Sequence, residues 1–153
     1  MEALLSTLHV VAAVFIVGPM AILPMTAMRA IRAGQGQQVE VLARSTFVFS
    51  LLSLVVVVFG FGILPFSTYG TTVTTPWVLA SLILYVLALG LSILGVVPAM
   101  RSAAEQLAAI PAGAVPGPDT AADTRQAYSR VAMFSGITSL LLVVIVVLMT
   151  WKP

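Results

Sequence analysis

From Ser45 to Met100 the chain carries no charged residue, and this stretch constrains the fold more than any other. A helix needs about 20 apolar residues to cross a hydrocarbon core ~30 Å thick, so there is room for two crossings. Its punctuation shows where they divide. Leu64-Pro65-Phe66-Ser67-Thr68-Tyr69-Gly70 and the Thr-rich run to Thr75-Pro76 interrupt the hydrophobicity. Thr75 followed by Pro76 reads as an N-cap with proline at the first helical position. Ala3 to Met28 is a further charge-free run, and Val131 to Trp151 another.

The expected architecture is an all-α, polytopic membrane four-helix bundle with spans at about 3–28, 45–64, 76–97 and 131–151. Residues 1–153 form a single membrane domain. Composition agrees: 60% of residues are hydrophobic and 8% charged, against roughly a quarter charged in a soluble domain. That balance excludes a soluble enzyme and a disordered tail. A net charge of +2 is too dilute to grip nucleic acid. With no cysteine, disulfide frameworks and thiolate metal sites are excluded as well.

Basic residues orient the spans. Arg29, Arg32 and Arg44 fall in the 29–44 connection, and Arg101, Arg125 and Arg130 in the 98–130 connection. The loop between spans two and three has none, and the termini hold only Lys152. Both arginine-bearing connections are expected in the cytoplasm, with both termini outside. Tyr69, Trp77 and Trp151 would then form an outer aromatic belt. Arginine over lysine, with abundant Ala, Val, Gly and Pro, suits a GC-rich bacterial genome of actinobacterial type, and the expected location is the bacterial plasma membrane. Gly34-Gln35-Gly36 is expected as a turn. Thr120-Ala121-Ala122-Asp123, which resembles a capping box, is expected to start the fourth helix after a Pro/Gly/Ala linker at 111–118.

The two halves echo each other. Ala27-Met28-Arg29-Ala30 matches Ala99-Met100-Arg101-Ser102, each after a proline (Pro24, Pro98). Arg44 with Phe49-Ser50 matches Arg130 with Phe134-Ser135. The chain reads as two duplicated helical hairpins about an axis along the membrane normal. Close packing in lipid needs small residues. Gly60, Gly62, Ala88 with Ser92, and Ala132 with Gly136 and Ser139 supply them. Pro19 and Pro24 are expected to kink the first span.

No Asp, Glu, Lys or Arg lies within a predicted span, which argues against an autonomous proton pump or secondary transporter. No catalytic constellation appears. His9 is the one ionisable side chain at membrane depth, with Ala12, Ala13, Ile16 and Met20 near it at helical spacing. Three readings stand for it: a hydrogen bond to a backbone carbonyl or water, contact with a quinone or partner subunit, and ligation of haem or copper. No second histidine is present. Met25 and Met28 form an M-x-x-M pair suited to Cu(I). Met20 lies eleven residues from His9, about 16 Å along a helix, too far for one shared ion.

Leu8-His9-Val10-Val11-Ala12-Ala13-Val14-Phe15-Ile16-Val17-Gly18, with Pro98-Ala99-Met100-Arg101, resembles a bacterial family of small predicted integral membrane proteins of unknown function. The pattern L-H-x-x-x-A-x-x-x-x-G is also similar to the first helix of copper-resistance D-type domains and related haem-handling proteins, which implies haem or copper at His9. The four-helix look is similar to small accessory subunits of the actinobacterial supercomplex of cytochrome bc and cytochrome c oxidase. Polar-poor spans, small-residue faces and the lack of a self-sufficient site lead to the expectation of a non-catalytic subunit without a cofactor or metal of its own, packed in lipid against a larger membrane complex and acting on no soluble substrate. The likeness implies that this complex is the respiratory one. The rivals are a haem- or copper-handling protein using His9, and a component of a transporter or channel whose partner supplies the polar residues.

Overall fold

The apolar runs fold as helices that are longer than the spans they contain. The computed structural model describes residues 2–66, 70–111 and 117–151. Its four long helices are α1 (Ala3–Arg32), α2 (Gly36–Phe66), α3 (Pro76–Ala108) and α4 (Pro118–Trp151), each long and apolar enough to cross a membrane. There is no strand among the described residues.

The first connection is far shorter than the expected 29–44. α1 continues to Arg32 and α2 begins at Gly36, so Arg29, Arg32 and Arg44 are all helical. Gly34 turns the chain at φ 69, and the amides of Gly34 and Gln35 bond back to Ile31 and Ala30. This is the left-handed glycine closure that satisfies a helix's last carbonyls. α2 starts early because Val39 and Ala43 are fully buried, and packing extends a helix that composition alone would end at the charges.

α4 begins at Pro118, so Thr120 lies inside it and caps nothing. Proline suits a first helical position, where no amide partner is needed. Thr75 does precede α3 as its N-cap residue, with Pro76 at the start. Its hydroxyl, however, accepts from the Thr72 amide at 3.0 Å, while its carbonyl takes the first amides of α3. The linker expected at 111–118 falls mostly outside the described residues, as do Tyr69 and Lys152.

α1 packs on α2, α2 on α3, α3 on α4, and α4 returns to α1. Two consecutive hairpins packed side by side give this cycle. Burial follows the sequence match only in part: Ala27 and Ala99 are both buried, and so are Ser50 and Ser135, but Ala30 is buried where its match Ser102 is exposed. The prolines pair differently from expectation. A five-residue π turn, Ala13–Val17 in α1 and Ser92–Val96 in α3, ends two residues before Pro19 and Pro98 respectively. Proline lacks an amide and its ring presses on the carbonyl four residues back, and the wider π turn makes room for it. Pro24 instead lies buried inside α1.

The four helices converge at the arginine-bearing end. Ala27, Ala30, Ala43, Ala103, Ala104 and Val131 are among the buried residues there. Small side chains let backbones approach, and in lipid that contact, with hydrogen bonds, drives association. Towards the other end the bundle loosens into two pairs, α1 on α2 and α3 on α4. No residue of α1 before Met20 is fully buried.

Candidate functional site

His9 sits in the loose half of the bundle, half-buried against α2. Its Nδ1 lies 2.8 Å from the carbonyl oxygen of Val56. A carbonyl can only accept, so Nδ1 carries a proton, and in the neutral tautomer this selects, Nε2 keeps the lone pair. Gly60, one turn beyond Val56, makes the approach possible: a Cβ there would stand 3.1 Å from His9 Cε1. Gly62 faces Leu5 in ordinary contact. The imidazole is thus oriented by the backbone of α2, and its free nitrogen is the only one available to a ligand.

A second polar set runs through the bundle where the two hairpins meet. Thr46, Ser50 and Ser53 of α2, Ser81 and Ser92 of α3, and Ser135 and Thr138 of α4 are all buried. Ser50 Oγ meets Ser92 Oγ at 2.8 Å. Ser53 Oγ meets the Tyr85 hydroxyl at 2.7 Å, and here the long tyrosine spans the gap that opens between the pairs. Thr46, Ser50 and Ser81 also donate to carbonyls of the preceding turn. Bonds between helices in lipid average ~0.6 kcal/mol, so this seam sets register more than it supplies stability. It reads as packing, with Thr138 Oγ1 and Ser139 Oγ buried without partners.

The six arginines gather at one end, all exposed. Arg32 donates to the Tyr128 hydroxyl and lies over its ring at 4.7 Å, tying α1 to α4. Arg101 sits 5.9 Å from the Phe47 ring, between α3 and α2. Trp77 begins α3 and Trp151 ends α4, so both lie at the opposite end. Of the methionines, Met20 is buried and Met28 packs on the core, but Met25 is half exposed on another face. The M-x-x-M pair therefore does not converge. Among the described residues no three His, Asp or Glu side chains could hold a metal ion together.

A family model described as "Predicted integral membrane protein (DUF2269)" matches residues 3–153. The chain belongs to this DUF2269 family. It is an integral membrane protein in contact with lipid. No curated protein and no solved structure matches it. The DUF2269 match covers all four helices, so the hairpin cycle, the His9 contact and the hydroxyl seam all lie within the family's extent.

Sequence reasoning singled out His9 and marked Gly60 only as a small packing residue, not as the partner of His9, and nothing pointed to Val56, whose part is played by its backbone carbonyl. The seam was more accessible: Thr46, Ser50 and Ser53 follow the helical spacing of one face. Gly136, expected as a packing residue, has nothing within 4 Å where a Cβ would stand. Its neighbours Val131, Ser135 and Thr138 define the buried face instead, because α4 turns that side to the bundle.

Proposed function

We propose that this DUF2269 protein is a non-catalytic accessory subunit that packs against a larger membrane complex, a respiratory cytochrome bc–cytochrome c oxidase assembly being the partner its likeness suggests. The observation that carries this reading is a pair of glycines the chain does not use for itself. Gly18 on α1 and Gly136 on α4 have nothing within 4 Å of an added Cβ. Around them Val14, Ile22, Met133 and Leu140 are exposed. Helices in lipid associate where small residues let backbones approach, and these two positions leave that approach open to another protein. Both arginine-bearing connections face the cytoplasm in this arrangement. Cysteines placed at 34 and 70 test it: only position 70 reacts with an impermeant reagent on intact cells.

The main test is purification of the tagged chain in mild detergent, comparing wild type with Gly136→Leu. Membrane-complex subunits co-purify with the wild type and are lost from the variant, which keeps its helical content and elutes as a single smaller species. A wild-type chain that elutes alone refutes the reading.

The geometry of His9 favours a second reading, haem or copper handling. An imidazole whose Nδ1–H is held by a carbonyl presents Nε2 in the tautomer that metals bind. The chain offers one such ligand, sufficient for the proximal side of a haem. For copper, further ligands would have to come from a partner. A Soret band or stoichiometric copper on the purified chain, lost in His9→Ala, would favour this reading over the first.

A further inference from the structure

We propose that the groove between α3 and α4 at the arginine-bearing end is a binding site for a phosphatidylethanolamine molecule. Two adjoining hollows of about 310 and 380 Å³ share Leu94, Gly95 and Phe134, so they form one track along the α3–α4 seam. The track is apolar at membrane depth, where Val86, Leu87, Gly90 and Leu91 line it. Gly90 keeps it open, with nothing within 4 Å of an added Cβ. Phe134 fills the space above Gly95, a Cβ there standing 3.0 Å from the ring, and so forms the floor. An acyl chain can lie along such an open apolar groove.

Towards the end of the bundle the lining becomes polar in a particular order. Arg130 comes first, at the edge of the apolar run of α4, and Asp123 lies two turns farther out, about 10 Å along the helix. Both line the same hollow. Neither is joined to an opposite charge by any ion pair among the described residues. Gln106 of α3 lines it as well; its Oε1 is buried without a hydrogen-bond partner, while its amide nitrogen donates to Ser102 Oγ at 3.4 Å. Travelling outward from the hydrocarbon, the groove thus presents a cation and then two acceptors.

Phosphatidylethanolamine has the matching order: acyl chain, phosphate, then a primary ammonium. Arg130 meets the phosphate through charge-assisted hydrogen bonds. The ammonium, with three donors, is met by the Asp123 carboxylate and the vacant Gln106 Oε1. A phosphatidylglycerol headgroup brings no positive charge to Asp123. A choline headgroup brings the charge but no N–H for Gln106.

Native mass spectrometry of the purified full-length chain, with palmitoyl-oleoyl phosphatidylethanolamine, phosphatidylglycerol or phosphatidylcholine added in turn, tests the site. The expected result is about tenfold tighter binding of phosphatidylethanolamine, the effect of roughly one charge-assisted contact. Asp123→Asn removes the preference over phosphatidylglycerol, Gln106→Leu removes the preference over phosphatidylcholine, and Arg130→Gln weakens all three lipids. Gly90→Leu lowers retention of every lipid by filling the groove, with the circular dichroism spectrum and elution volume unchanged. Equal affinity for the three lipids in the wild-type chain overturns the proposal. So does a preference for phosphatidylethanolamine that survives Asp123→Asn combined with Gln106→Leu, or a stable dimer that excludes lipid.

Discussion

Replacing Gly60 by alanine isolates the contact that orients His9. The new methyl group would stand 3.1 Å from His9 Cε1 and 3.3 Å from Nδ1, both tighter than ordinary van der Waals contact. Helix 1 must retreat, and the 2.8 Å bond to the Val56 carbonyl stretches with it. Overpacking costs about 1–3 kcal/mol, and the hydrogen bond in lipid adds ~0.6 kcal/mol. Against this, alanine is the better helix former by about 1 kcal/mol. The net expectation is destabilisation by about 1–2 kcal/mol when His9 is present. In a His9→Ala background the clash disappears and the propensity term alone remains, so the same substitution becomes neutral or stabilising. Reversible unfolding in mixed detergent micelles gives all four corners of the cycle, with a coupling energy of about 1–3 kcal/mol. Additivity within about 0.5 kcal/mol would refute the contact.

The other predictions concern the rest of the bundle. Tyr85→Phe deletes the hydroxyl that bridges to Ser53; it should cost ~0.6 kcal/mol in the same unfolding assay, and Ser53→Ala in that background should add almost nothing. Gly95→Ala drives a methyl group to 3.0 Å from the Phe134 ring, costing about 1–3 kcal/mol, and Phe134→Leu should restore most of it. Gly34→Ala puts a side chain at φ 69, lowering stability by about 1 kcal/mol, whereas the same change at Gly18, which has open space and ordinary helical φ, should be tolerated or favourable.

Different physical terms settled different parts of this protein, and they were not equally visible in its residues. That Ser45 to Met100 crosses a bilayer twice follows from transfer energetics alone, since an uninterrupted apolar run has no stable place in water. The helical hairpins follow from the same run and its Pro, Gly and Thr interruptions. The matched Ala-Met-Arg motifs gave Ala27 and Ala99 corresponding positions along the chain, and packing buries both. The early start of α2 was less legible. Helix formers and charges are compatible with either a solvated connection or a helix, and only the burial of Val39 and Ala43 decides between them.

What remained for the tertiary structure was everything that depends on two helices meeting. His9 is visible in the sequence, but its tautomer depends on a backbone carbonyl whose residue, Val56, gives no sign of the role. Gly60, Gly95 and Gly136 are alike as letters. One receives an imidazole, one receives a phenyl ring, and one faces open space. Local sequence determines periodicity and hydrophobicity because those are sums over neighbouring residues. Which glycine is filled, which hydroxyl is paired and which groove stays open depend on rotation and distance between segments far apart in the chain, and packing alone decides them.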